Sequence, residues 1–124
     1  MIQVTEVAFS CYPVTDVPRA RAFYEGILGL KPTSVIDQPD AAWVEYEFGP
    51  YAVAIGRAPG WKPSPDGCTV GLEVADFDAA IEHLKARGVT FRMEPFATPV
   101  CRMAMISDPD GNTVCVHQRN APTA

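Results

Sequence analysis

The chain has 124 residues, enough for one domain with a hydrophobic core. Its 48% hydrophobic and 20% charged residues exclude a disordered chain. A net charge of −5 disfavours nucleic acid and anionic membranes as partners, because both select clustered Lys and Arg.

No apolar run approaches the roughly 18 residues of a membrane span. The segment Met1-Ile2-Gln3-Val4-Thr5-Glu6 carries neither a basic region nor an apolar signal core, so a cytoplasmic protein is the expectation. Cys11, Cys68, Cys101 and Cys115 form no C-x-x-C pair, which argues against a structural zinc site and for free thiols in a reducing compartment.

In chain order, Val4 to Tyr12 alternates and reads as a strand that Pro13 ends. Asp16 is a good N-cap, and Pro18 fits the first turn of a helix that carries Ala20, Phe23, Tyr24 and Ile27 at helical spacing. Gly29 closes that helix. Thr33 to Ile36 is a short strand, and Trp43 to Phe48 and Tyr51 to Gly56 form a hairpin about Gly49-Pro50. Residues 57–67, rich in Pro and Gly, read as a linker, with Trp61 alone in it. The order then repeats. Cys68 to Val74 is a strand, Asp76 caps a helix that runs to Ala86, and Gly88 ends it. Thr90 to Met93 is a strand, and Cys101 to Ser107 with Thr113 to Gln118 forms a hairpin about Asp108-Pro109-Asp110-Gly111-Asn112. Residues 120–124 read as a tail.

Asp16 and Asp76, like Gly29 and Gly88, stand roughly 60 residues apart, the mark of an internal repeat. The expected organisation is one α+β domain over 1–124, with module 1 at about 1–56, a linker at about 57–67, module 2 at about 68–119 and a tail at 120–124. Each module is βαβββ, and the two are expected to curl a mixed sheet around one cleft.

Asp16 with Phe23-Tyr24 and Leu28-Gly29-Leu30 resembles the D-x7-Y-x3-LGL opening of the glyoxalase, bleomycin-resistance and extradiol-dioxygenase superfamily, also called the vicinal oxygen chelate superfamily. Asp108-Pro109-Asp110-Gly111-Asn112 resembles the turn before its last strand, and Gly71-Leu72-Glu73-Val74 with Asp76 resembles the opening of its second module. The resemblance implies the paired βαβββ fold and a homodimer. In metal-using members it also implies four cleft side chains, His and Glu as a rule, on one divalent ion that activates substrate oxygens.

Carried over by position, those four slots fall at Phe9, at Val53 or Ile55, at Thr69 and at Cys115. Phenylalanine and aliphatic side chains cannot coordinate, threonine is a poor ligand and one cysteine cannot hold an ion, so the expectation is no metal and no cofactor.

Strand alternation sorts the remaining candidates. Val7 and Cys11 share the face of Phe9, Gly71 and Glu73 that of Thr69, and Thr113 and His117 that of Cys115. Trp43, Glu45 and Glu47 share one face of their strand, and Val44, Tyr46 and Phe48 the other, which is expected to meet the helix. Phe9, Trp43, Met103 and Met105 give the cleft an apolar lining suited to a small molecule. His117 reads either as a structural residue or as an acid or base. His83 reads as a surface residue.

The leading functional expectation is a metal-independent protein binding a small apolar or aromatic molecule through Phe9, Cys11, Trp43, Val53, Ile55, Thr69, Glu73, Met103, Met105, Cys115 and His117. The alternative is a lyase or isomerase, lactoylglutathione-lyase-like, that works through His117 and a glutamate, Glu45 before Glu47 or Glu73, or through a relocated metal on Cys11, Glu45, Cys115 and His117. A third reading is a structural or regulatory dimer without ligand.

Overall fold

The computed structural model describes residues 1–3 and 5–121. The chain divides into two compact units, Met1–Pro63 and Ser64–Ala124.

The first unit holds β1 (Ser10–Pro13), α1 (Val17–Arg21), a π-helical segment (Ala22–Ile27), β2 (Pro32–Gln38), β3 (Ala41–Phe48) and β4 (Tyr51–Arg57). Its sheet has the order β1-β4-β3-β2, with β1 parallel to β4 and the remaining pairs antiparallel. The second unit holds β5 (Val70–Glu73), α2 (Phe77–Ala86), β6 (Phe91–Ala97), β7 (Cys101–Ser107) and β8 (Thr113–Arg119). Its sheet repeats that order as β5-β8-β7-β6, again with one parallel pair. Two mixed four-stranded sheets, each with one helical crossover, are the expected α+β modules.

The caps act as the sequence indicated. The Asp16 carboxylate accepts from the Arg19 N–H at 3.1 Å, and Asp76 accepts from the Ala79 N–H at 3.1 Å. Gly29 at φ 78° and Gly88 at φ 73° take the left-handed conformation that ends each helix. Packing comes from one face of each sheet. Val44, Tyr46, Val53 and Ile55 are buried with Phe23 and Tyr24, whose ring lies 6.1 Å from Tyr12 and 6.3 Å from Tyr46. In the second unit Val114, Val116, Ala104 and Ile106 are buried with Phe77 and Leu84. Each large side chain buried so completely contributes about 1.5–3 kcal/mol.

Three expectations change. The first strand is short, Ser10–Pro13, and residues 5–9 precede it without strand structure; Val4 and residues 122–124 of the expected tail lie outside the described residues. The first helix widens after one turn, with the Leu28 N–H donating to the Phe23 carbonyl five residues back at 2.9 Å. In this wider turn Phe23 and Tyr24 are buried while Glu25 still reaches the Tyr46 hydroxyl. The strand expected at Thr90 to Met93 runs instead over Phe91–Ala97, because register shifts between Phe91 and Phe96 carry Pro95 within an edge strand.

Candidate functional site

Each sheet turns one face to its helix and leaves the other open, and register assigns residues to the two faces. In the first unit Trp43 pairs with Gly56, Glu45 with Ala54 and Cys11 with Ala54, so these share the open face. Tyr46 pairs with Val53, and Val44 and Tyr12 with Ile55, which places Val53 and Ile55 on the helix face. The sequence assigned Val53 and Ile55 to the ligand-facing side. The open-face positions of β4 are Ala54 and Gly56. Residues Val53 to Gly56 are all apolar and all buried, so no alternation in the sequence marked their register.

The open face of the first sheet carries an aromatic cluster. Phe9 meets Trp43 edge-on with centroids 5.0 Å apart, and Trp43 meets Trp61 at 6.4 Å. Trp61 folds back from the segment after β4, where its backbone N–H donates to the Ala58 carbonyl at 3.1 Å. Gly56 makes the approach possible. A Cβ at this position would lie 2.9 Å from Trp61 Cζ3 and 3.3 Å from both Trp43 Cε3 and Cys11 Sγ. Phe9 and Trp61 remain 49% and 46% exposed, so the cluster presents ring surface rather than filling a core. Burial pushes the Cys11 thiol up to about 11, and it stays a neutral apolar contact. Glu45 is half-buried on the same face.

In the second unit the open face follows the expected alternation. Gly71 pairs with Cys115, Glu73 with His117, Met105 with Cys115 and Met103 with His117. Thr69 is exposed one residue before β5. Met93 and Phe96 of β6 pair with Met105 and Met103 and extend this apolar face; the irregular strand hid them from the sequence reading. The carboxylate beside His117 is Glu73, not Glu45, which lies in the other unit. His117 Nδ1 stands 2.5 Å from Glu73 Oε1, and the Arg119 backbone N–H donates to Oε2 at 2.7 Å. The Arg119 bond first, and then His117, hold the Glu73 carboxyl below the usual carboxylate range.

The four positions that the family resemblance assigns to metal ligands do not fit a divalent ion. Phe9 is a member of the aromatic cluster, Val53 and Ile55 face the helix, and Ala54 and Gly56 beside them have no donor. Thr69 is a weak donor. Burial, with Cys101 nearby, raises the Cys115 thiol and disfavours the thiolate that a metal needs. Among the described residues no group of three His, Cys, Asp or Glu side chains is placed to hold an ion. Of the relocated set, Cys11 and Glu45 belong to one unit and Cys115 and His117 to the other. A groove of about 410 Å³ on the helix side of the first unit, lined by Val17, Arg21, Glu25 and Asp37, is separate from the aromatic cluster.

Two βαβββ units with a conserved order of strands, the capped helices and the Asp108–Asn112 turn define a glyoxalase-like protein. The chain belongs to the Glyoxalase/Bleomycin resistance protein/Dioxygenase superfamily, whose model matches residues 4–116. It is similar to TnmS3, an antibiotic binding protein from Streptomyces sp. CB03234, with a TM-score of 0.80 and 25% identity over 97% of this chain and 100% of that one. A glyoxalase/bleomycin resistance protein from the same strain gives a TM-score of 0.74 and 27% identity over 91% and 100% of the two chains. The trypanothione-dependent glyoxalase I of Leishmania major shares the fold, with a TM-score of 0.76 and 20% identity over 93% of this chain and 87% of that one. No curated protein matches the sequence. No helix among the described residues is long and apolar enough to cross a membrane.

Proposed function

We propose that this protein binds a small apolar or aromatic molecule without a metal, on the open sheet face where Phe9, Trp43 and Trp61 gather. The observation that carries this reading is the edge-on ring series over Gly56, which leaves Phe9 and Trp61 about half exposed. Ring surface of this kind favours a flat apolar partner, each aromatic contact adding about 0.5–1.5 kcal/mol beyond burial. The similarity to an antibiotic binding protein supports the reading, as do ligand slots that carry non-coordinating residues. The net charge of −5 supports a small-molecule partner rather than nucleic acid or an anionic membrane. The proposal includes a homodimer, for which the family resemblance is the support.

Both tryptophans of the chain lie in this cluster, so intrinsic fluorescence reports on it directly. Titration with 1-anilinonaphthalene-8-sulfonate is expected to quench tryptophan emission and raise the melting temperature. Replacing Phe9 by Ala is expected to weaken that binding about tenfold while both tryptophans remain. Unchanged emission and unchanged melting across this probe and a panel of apolar aromatics would falsify the reading.

The lyase or isomerase alternative draws on a different observation, the Glu73 carboxylate at His117. It replaces the expected His117 and Glu45 combination with His117 and Glu73.

A further inference from the structure

We propose that His117 and Glu73 form a hydrogen-bond-accepting site on the second sheet that takes the hydroxyl of a phenol, with Glu73 as the positioning residue. This inference is independent of the aromatic face of the first unit.

The geometry rests on four fixed points. Glu73 and His117 are register partners on β5 and β8, and the Val74 N–H donates to the His117 carbonyl at 2.8 Å, which pins the two backbones together. One Glu73 oxygen is held by the Arg119 N–H at 2.7 Å, and the other faces His117 Nδ1 at 2.5 Å. An ionised carboxylate only accepts hydrogen bonds, so Nδ1 carries a proton, and in the singly protonated ring the lone pair sits on Nε2. Among the described residues Nε2 has no hydrogen-bond partner, and the ring side chain is 22% exposed. Met103 is the cross-strand register partner of His117, and Cys115 lies two residues back on the same face as a neutral buried thiol. The charged groups at the pair are Glu73 itself and Arg119.

An oriented acceptor among apolar side chains suits an aromatic ligand with one weakly acidic O–H. The phenol O–H donates to the Nε2 lone pair and stays intact, while the Nδ1–H donates to the Glu73 carboxylate. An aliphatic alcohol is a weaker hydrogen-bond donor than a phenol, and a carboxylic acid is ionised at neutral pH and has no O–H to donate. A phenol therefore joins a ring for the apolar face to a strong O–H donor for Nε2.

The test has two arms. Long-range nitrogen–proton correlation spectra assign the ring tautomer at a pH high enough to leave the imidazole neutral, and only two histidines, His83 and His117, need to be told apart. His117 is expected as the Nδ1–H tautomer. In Glu73→Gln the Arg119 N–H retains the amide oxygen, the amide NH₂ turns to Nδ1, and the tautomer is expected to invert to Nε2–H. The inversion reads whether Glu73 sets which ring nitrogen is free. In the second arm, 4-nitrophenol is expected to bind at least about tenfold more tightly than 4-nitroanisole, and His117→Phe is expected to abolish that preference. An Nε2–H tautomer in the unmodified protein, or equal binding of the phenol and its methyl ether, overturns the proposal.

Discussion

Gly56 lies beneath Trp61 so closely that a single methyl group would meet it, the added Cβ standing 2.9 Å from Trp61 Cζ3. Trp61 sits on an exposed segment and can yield, but Trp43 Cε3 and Cys11 Sγ, both at 3.3 Å, are held by strands. Gly56→Ala is therefore expected to displace the Trp61 ring and to cost about 1–3 kcal/mol in overpacking. The denaturation midpoint should fall and the tryptophan emission maximum should shift to longer wavelength as Trp61 enters solvent. An unchanged emission spectrum would mean that the ring does not rest on this glycine.

Tyr46 is fully buried, and its hydroxyl donates to Glu25 Oε2 at 2.9 Å. The same carboxylate is gripped by Arg21 at 2.6 and 3.2 Å. Burial first, and then the Glu25 contact, raise the Tyr46 phenol well above its ordinary value, so it remains a donor at any working pH. Tyr46→Phe keeps the ring stack on Tyr24 and removes only this bond. It is expected to cost about 1.5 kcal/mol, read as a lower midpoint in urea with an unchanged slope.

The repeat carried most of the fold in the sequence. Asp16 and Asp76 mark helix starts, Gly29 and Gly88 mark helix ends, and Asp108 to Asn112 mark the last turn. Each of these signals is local, a cap or a left-handed glycine that one residue type satisfies best. The buried turn shows the same economy: Asp108 accepts from the Asn112 N–H at 2.8 Å and from its side-chain amide at 2.9 Å. The faces of the second sheet were also legible, because Thr113, Cys115 and His117 alternate with Val114 and Val116. What was not legible depends on contacts between distant residues. Val53 to Gly56 gives no periodic signal, so its register comes only from pairing with β3. The choice of Glu73 over Glu45 as the partner of His117 follows from parallel pairing of β5 with β8. Trp61 was visible as an isolated aromatic, but its rest on Gly56 is tertiary.

The pH dependence of stability follows from Glu25. Its hydrogen bond to Arg21 first, and then that to Tyr46, hold the carboxyl below the usual carboxylate range. A depressed folded-state pKa means that the unfolded chain takes up the proton first. The stabilisation is fully present above the unfolded-state pKa and is lost as pH falls through the folded-state value. Unfolding free energy measured in urea is therefore expected to hold near neutrality and to decline through the acid range. Glu25→Gln should be less stable at neutral pH and show a shallower acid decline. Parallel curves for the two proteins would assign the acid sensitivity to other carboxylates.

The four thiols should react in an order set by burial rather than by chain position. Cys68 is exposed, Cys11 is half-buried, and Cys101 and Cys115 are buried. Thiolate is the reactive form, and desolvation moves Cys11 up to about 11 and raises Cys115 as well. Iodoacetamide at mildly alkaline pH is expected to modify Cys68 first and to leave Cys11 and Cys115 largely intact until denaturant is added, as peptide mass mapping would show. A bound aromatic ligand on the Trp43 face should slow Cys11 further without changing Cys68, since Cys11 Sγ lies beneath the same rings. Rapid labelling of Cys11 in the folded protein would show that the sheet face under Trp43 and Trp61 opens readily to water.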